Sequence, residues 1–189
     1  MKVLLVDNYD SFTFNLVNIL RKNKQVGHDV VRIDKINLDE LNRYDKILFS
    51  PGPDVPHIGD VMWQIINRYK SEKSILGVCL GMQAISMYFG AKLLNLKKVY
   101  HGRIKNIEII NGGDVLYKDI DSPFVGGLYH SWIVDEAGFP DELQITSKSM
   151  DGMIMSVRHK NFDICGVQFH PESVMTPQGE GMVKNWLLE

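Results

Sequence analysis

The 189-residue sequence has few cysteines, little net charge and no long apolar run. Its two cysteines are too few for the disulfide framework of many secreted proteins, so we expect both thiols to be reduced. The formal net charge of -2 gives no electrostatic reason to expect binding to nucleic acid or to an anionic membrane. The first apolar run, residues 3–6, is ended by Asp7 and is too short for a signal peptide or a membrane helix. We therefore expect a cytoplasmic protein.

Short apolar runs alternate with amphipathic segments through the first half of the sequence. This alternation predicts an α/β fold with a mainly parallel central sheet and helices on both faces. Asp10 and Ser11 are predicted to cap the first helix. Ligands of such sheets bind beyond the carboxyl ends of the strands, which directs attention to residues 7–11, 50–53 and 78–81. The predicted strands are 3–6, 29–33, 46–49 and 74–78, and later helices are predicted over 60–69 and 81–89.

The second half has patterns typical of antiparallel strands. Turn signals at 111–113 and at 151–152 each predict a β-hairpin. We therefore expect an additional small antiparallel sheet beside the parallel one. We find no repeat or linker, so a single domain over residues 1–189 is the simplest interpretation. The hairpins would join 104–110 to 115–117 and 143–150 to 153–159, and a strand over 164–169 and a helix over 179–188 would follow.

The sequence Gly-Val-Cys-Leu-Gly at 77–81 has the form of a nucleophile elbow with cysteine at its centre. A buried strand leads directly into a helix, and Cys79 lies at the junction. The helix dipole favours a thiolate at that position. The pentapeptide alone is equally compatible with a structural cysteine.

His170-Pro171-Glu172 follows the last predicted strand. An imidazole can take the proton of a thiol, and a carboxylate can fix the orientation of that imidazole. Taken alone, the tripeptide is more typical of a loop histidine beside a solvated glutamate. A zinc deaminase motif would need a later pair of cysteines, and none follows Cys165. We therefore predict neither a metal site nor a cofactor.

Backbone N–H groups near Cys79 could stabilise an oxyanion. Leu80 follows the nucleophile, and Gly52 lies between two prolines in the loop Ser50-Pro51-Gly52-Pro53, with no Cβ to block a ligand. The alternative is that 50–53 is an ordinary turn.

Three motifs occur together in the order typical of the class I glutamine amidotransferases: 50–53, 77–83 and 170–172. The chain resembles that family over essentially its whole length. The opening Asp7-Asn8-Tyr9-Asp10-Ser11-Phe12-Thr13 resembles one branch, which contains component II of anthranilate synthase and the glutaminase subunit of aminodeoxychorismate synthase. The resemblance implies a flavodoxin-like central sheet.

The resemblance also implies roles for individual residues. Cys79 would attack the side-chain amide of L-glutamine, His170 would activate the thiol and protonate the departing ammonia, and Glu172 would orient His170. A glutamyl thioester would form and be hydrolysed. Gly52 and Leu80 would supply the oxyanion hole, and the substrate would be held by Gln83, Tyr129, His130 and Ser131.

The ammonia would pass to a large chorismate-binding synthase subunit, in a heterodimer or a heterotetramer, for anthranilate and tryptophan synthesis. The alternative is aminodeoxychorismate synthesis in the folate pathway, or service to both enzymes. Two other interpretations remain open: a catalytically silent binding subunit, and a cysteine hydrolase or peptidase.

Two residues depart from the pattern of the branch. Asp54 stands where a glycine is usual, and it would carry a modest cost if its φ had to be positive. Met82 stands where histidine is common, and we expect little loss because this side chain is outside the predicted triad.

Overall fold

The computed structural model describes residues 1–97 and 99–189. Strands and helices alternate in the first ninety residues, and strands predominate after them. The strands are β1 Lys2–Asp7, β2 Gly27–Arg32, β3 Lys46–Phe49, β4 Ser74–Val78, β5 Leu93–Asn95, β6 Arg103–Ile109, β7 Phe124–Leu128, β8 Trp132–Val134, β9 Leu143–Ser149, β10 Ile154–His159 and β11 Ile164–Val167. The α-helices are α1 Thr13–Lys22, α2 Val61–Tyr69, α3 Leu80–Tyr88 and α4 Gly179–Leu188.

The central sheet has nine strands in the order β2-β1-β3-β4-β11-β10-β9-β6-β7. The first five are parallel to one another. The other four continue the sheet by antiparallel pairing. Strands β5 and β8 form a separate small antiparallel sheet. The predicted α/β fold, with a mainly parallel sheet and an additional small antiparallel one, is confirmed.

Both faces of the parallel strands are buried, as the continuous apolar runs predict. Alternate residues of β1 show this clearly. Val3 and Leu5 pack in one core cluster with the apolar faces of α1 and α4. Leu4 and Val6 pack in a second cluster with α2 and α3. The helices therefore cover the two faces, and the strand ends remain available for a site.

The predicted hairpin at 111–113 is wrong, whereas the one at 151–152 is present. Residues 115–117 form a single 3₁₀ turn, and β6 pairs with β7 and β9. The turn begins at Asp114, whose buried carboxylate accepts hydrogen bonds from the backbone N–H of Leu116 and from Nε of Arg158. A turn does form there, since the N–H of Asp114 donates to the carbonyl of Asn111 at 3.3 Å, but the segment after it is a 3₁₀ turn and not a strand that pairs with β6. In contrast, Gly152 has φ +91 and joins the antiparallel strands β9 and β10.

Several element ends differ from prediction, including those of β2, which spans Gly27–Arg32 and not 29–33. Helix α1 begins at Thr13, and its N-cap, Phe12, makes no side-chain capping bond. The Asp10 carboxylate instead accepts from the backbone N–H of Phe12, at 2.8 Å, so it stabilises the turn before the helix. Strand β11 ends at Val167, two residues early. Within the described residues, no helix is long and apolar enough to span a membrane.

Candidate active site

Three strand ends meet at one edge of the sheet. Strand β4 pairs in parallel with β3 on one side and with β11 on the other. Parallel register places their carboxyl ends together. The loop 50–53 follows β3, Cys79 follows β4, and residues 168–172 follow β11. Motifs that lie far apart in the sequence, from residue 50 to residue 172, are thus neighbours in the fold.

Cys79 lies in a strained turn between β4 and α3. Its backbone has φ 51 and ψ -100, outside the usual regions for a residue with a side chain. Such a conformation costs about 1–3 kcal/mol and persists only where surrounding contacts hold it. One of them is the hydrogen bond from the Cys79 N–H to the carbonyl of Val167, at 2.7 Å. The side chain is buried, with 6% of its surface exposed.

The flanking glycines allow this turn to form. A methyl group on Gly77 would overlap the carbonyl carbon of Gly81. One on Gly81 would lie 2.6 Å from Cβ of Phe49 in β3. Only residues without a Cβ fit both positions, which agrees with the elbow predicted from the sequence.

His170 and Glu172 form a buried pair. Nδ1 of His170 lies 2.6 Å from Oε1 of Glu172, and both side chains are almost fully buried. Burial lowers the pKa of His170, but the Cys79 thiol and the Glu172 carboxylate raise it more strongly, to about 10. His170 therefore carries a proton at neutral pH. Its Nε2 makes no hydrogen bond of normal length to the described residues. Catalytic contacts of this kind often tighten only when substrate binds.

Aromatic side chains cover the imidazole of His170. The ring of Tyr129 lies 4.8 Å from that of His170, and the ring of Phe12 lies 5.6 Å away. The two rings also pack on each other at 4.9 Å. They restrict solvent access to the imidazole, and the opening segment 7–13 thereby contributes to the site through Phe12.

A cavity of about 140 Å³ opens beside Cys79. It is lined by every residue predicted for the oxyanion hole and for substrate binding: Gly52, Leu80, Gln83, Tyr129, His130 and Ser131. Pro53, Asp54, Val55 and Trp132 complete the lining. The nucleophile candidate and the predicted binding residues therefore share one small pocket.

Gly52 and Leu80 lie against each other on one wall. A Cβ on Gly52 would overlap Cδ2 of Leu80 and would lie 2.9 Å from Cβ of Asn8. Asn8 holds this loop: its Nδ2 donates to the carbonyl of Ser50 and its N–H donates to Ser50 Oγ, both at 2.9 Å. This role of Asn8 was not predicted, although Asn8 directly follows β1 and so lies at the same edge of the sheet.

The family comparison agrees with this geometry. The model of the family described as glutamine amidotransferase class-I matches residues 4–189. The chain belongs to this family.

Several relatives carry names from the predicted branch. Anthranilate synthase component 2 of Methanocaldococcus jannaschii is 45% identical over 93% of this chain and 86% of the relative. Aminodeoxychorismate/anthranilate synthase component 2 of Bacillus subtilis is 36% identical over 98% and 95%. Aminodeoxychorismate synthase component 2 of Klebsiella aerogenes is 37% identical over 98% of each chain. The predicted resemblance is confirmed.

A solved structure gives the same fold. A glutamine amidotransferase from Thermotoga maritima superposes with a TM-score of 0.79 and covers 99% of this chain and 96% of its own, at 14% identity. At this identity the likeness concerns the fold alone.

Two histidines of this amidotransferase site have opposite charge states. Burial, together with the positive charge of His170, lowers the pKa of His130 to about 4. His130 is therefore neutral at pH 7, whereas His170 is protonated. His130 stacks on the ring of Tyr100 at 5.8 Å. A neutral imidazole on the cavity wall can accept or donate a hydrogen bond without adding charge.

The two departures from the branch pattern differ in how they relate to this site, since Asp54 lines the cavity and Met82 does not. Asp54 is not among the described residues with positive φ, so it carries no left-handed strain. Met82 is fully buried and packs against Gly166 of β11, where a Cβ would lie 2.8 Å from Cβ of Met82. It faces the sheet, away from the residues that line the cavity.

A chain of amide groups links the predicted substrate ligand to the nucleophile candidate. Nε2 of Gln83 donates to the carbonyl of Trp132 at 3.0 Å and to Oε1 of Gln168 at 3.1 Å. Nε2 of Gln168 donates to Cys79 Sγ at 3.4 Å. Gln168 lies outside the sequence motifs from which the site was predicted. Its position directly after β11 was the signal that could have indicated one.

Proposed function

We propose that this chain is the glutaminase subunit of a chorismate-using synthase, and that the synthase makes anthranilate for tryptophan synthesis. One observation carries the proposal. The buried Cys79, His170 and Glu172 lie at adjoining strand ends, beside a cavity lined by the residues expected to bind glutamine.

The first step forms a thioester. The thiolate of Cys79 attacks the side-chain amide carbon of L-glutamine, and the carbonyl oxygen becomes an oxyanion. The backbone N–H groups of Gly52 and Leu80 stabilise that oxyanion. The bond from carbon to nitrogen then breaks, and His170 gives its proton to the departing ammonia. Glu172 holds the imidazole in the orientation that both transfers require.

The second step hydrolyses the thioester. The imidazole of His170, now neutral, removes a proton from water, and the resulting hydroxide attacks the thioester carbon. The carbon–sulfur bond breaks, glutamate leaves, and the Cys79 thiolate and the protonated His170 are restored. The carboxylate of Glu172, 2.6 Å from Nδ1 of His170, favours the imidazolium that this step restores.

The cavity supports glutamine over a peptide. At about 140 Å³ it has the scale of a single amino acid, and it carries polar groups on several sides. Gln83, His130 and Ser131 would bind the α-amino and α-carboxylate groups, and Tyr129 would close the wall beside His170. A peptidase would need a cleft for residues on both sides of the scissile bond.

The aminodeoxychorismate pathway is a second candidate, because the Klebsiella aerogenes relative bears that name and the Bacillus subtilis relative bears both. In either case ammonia would pass to a large subunit in a heterodimer or heterotetramer. A silent binding subunit is disfavoured, because all three members of the proposed triad are present and Glu172 contacts His170.

The test is covalent labelling by 6-diazo-5-oxo-norleucine, a reactive analogue of glutamine, followed by peptide mass spectrometry. We expect one adduct on Cys79 that excess glutamine blocks and that Cys79→Ser abolishes. Cys165→Ser is the matched control: this second thiol is fully buried in β11, and burial raises its pKa well above the usual value. The control should label normally. An adduct that glutamine does not block, or no adduct even with a chorismate-binding subunit present, would contradict the proposal.

A further inference from the structure

Gln168 is fully buried at the end of β11, and its amide joins two parts of the candidate site. Nε2 lies 3.4 Å from Cys79 Sγ, and Oε1 accepts from Gln83 at 3.1 Å. A buried amide that meets the nucleophile candidate at one end and the predicted substrate ligand at the other is placed to affect both.

The contacts allow only one orientation of each amide. If Gln168 were flipped, its oxygen would face the sulfur and its NH₂ would face the NH₂ of Gln83. If Gln83 were flipped, its oxygen would face the carbonyl of Trp132 and Oε1 of Gln168. Either flip sets like groups against each other at the contact between Gln83 and Gln168, and a flip of Gln83 does so at Trp132 as well, which is costly in a buried site.

The orientation determines what each group offers to the reaction. Gln168 gives an N–H to the sulfur, and a donor favours the thiolate form of a cysteine. Both amide hydrogens of Gln83 are used by Trp132 and Gln168. The atom that Gln83 can present to the cavity is therefore Oε1, an acceptor suited to the ammonium group of an amino acid.

We infer that Gln168 is a positioning residue, which stabilises the Cys79 thiolate and holds Gln83 with its carbonyl oxygen toward the substrate. This inference rests on the proposed function for its substrate, but its first contact, with Cys79, is independent of glutamine. Ionisation of the nucleophile and recognition of the substrate are thus coupled through one side chain.

Gln168→Met tests both contacts, because methionine has similar length but no amide. The first measurement is the rate of Cys79 alkylation by iodoacetamide as a function of pH, which needs no glutamine. We expect the midpoint to rise by about one pH unit, since a hydrogen bond to a charged group is lost. The second is glutaminase kinetics, measured with the large subunit, where we expect kcat/KM to fall about 10- to 100-fold with a rise in KM.

A double-mutant cycle with Gln83→Met separates positioning from packing. If Gln168 acts through Gln83, the two substitutions should raise KM by much less together than the product of their single effects. Gln144→Met, at an exposed position of β9, is the matched control and should leave the alkylation profile and the glutaminase kinetics unchanged. If Gln168→Met does not fold, Gln168→Asn keeps an amide that is too short to span both contacts, and the same shifts are expected.

The outcomes distinguish this inference from the proposed function. An unchanged alkylation midpoint and KM in a folded Gln168 variant would overturn the inference and leave only a structural role. If Cys79 of the wild-type protein is alkylated in a pH-dependent way but the protein turns over no glutamine with its partner, the proposed function is contradicted. The midpoint of Cys79 alkylation in Gln168→Met would in that case still test the contact between Gln168 and Cys79.

Discussion

At the scale of single residues, the pair of His170 and Glu172 makes stability depend on pH. The folded protein raises the pKa of His170 from the ordinary 6.5 to about 10, because the Cys79 thiol and the Glu172 carboxylate outweigh the effect of burial. A histidine whose pKa is raised by folding stabilises the protein fully below its unfolded pKa. That contribution is lost as pH rises from about 6.5 through 10.

Glu172→Gln removes the carboxylate and so removes much of this contribution. We expect the free energy of unfolding to fall by about 1–3 kcal/mol at pH 6.5, where an ionic hydrogen bond is lost. The difference from wild type should shrink toward pH 10, where His170 loses its proton in both proteins. Glutaminase kcat should fall about 100-fold or more, because the imidazole is no longer oriented.

Urea denaturation at a series of pH values measures the loss of unfolding free energy in Glu172→Gln. Glu108→Gln is a suitable control, since Glu108 is exposed on β6. A difference between Glu172→Gln and wild type that is constant from pH 6 to pH 10 would show that the pair does not titrate as inferred.

At the scale of elements, the turn between β4 and α3 depends on close backbone approach. In Gly77→Ala the added methyl group would overlap the backbone of Gly81, and no flexible side chain is there to move aside. We expect a loss of about 1–3 kcal/mol in unfolding free energy and a strongly reduced rate of Cys79 alkylation, because the elbow must distort. Urea denaturation and iodoacetamide kinetics measure the two effects.

Gly112→Ala is the matched substitution, because nothing lies within 4 Å of the added Cβ and its φ is not positive. It should leave stability unchanged or raise it slightly, by up to about 1 kcal/mol. Equal effects of the two substitutions would mean that the elbow tolerates a side chain and that Gly77 is not required by packing.

Local patterns in the sequence predicted most elements, but not the contacts made over long distances in the chain. Continuous apolar runs in the sequence located β3 and β4, because both strands are buried on two faces. The signal at 111–113 does mark a turn, but Asp114 caps a 3₁₀ turn after it instead of leading into a strand, and its carboxylate accepts from Arg158, which is 44 residues away. In the site, motifs indicated Cys79 and His170. The contact of Gln168 with Cys79 spans 89 residues, and no spacing rule reaches that far.

At the scale of the whole molecule, the proposed ammonia source needs an acceptor. The relatives from Methanocaldococcus jannaschii, Bacillus subtilis and Klebsiella aerogenes are all named as the second component of a synthase. We therefore expect that a large anthranilate synthase subunit becomes able to use glutamine as its nitrogen source when this chain is added. The partner should also raise the apparent affinity for glutamine, within the range of about 5- to 150-fold that is typical of coupled sites.

The variant Cys79→Ser tests whether the ammonia in this reconstituted complex comes from the reaction at Cys79. A complex with the variant should keep ammonia-dependent synthesis and lose glutamine-dependent synthesis, because the large subunit is intact while the ammonia source is blocked. Parallel assays with an aminodeoxychorismate synthase subunit then identify the pathway: activation of one subunit assigns the chain to that enzyme, and activation of both indicates a shared glutaminase. If the Cys79→Ser complex still used glutamine, the ammonia would come from another site and the nucleophile assignment would be wrong.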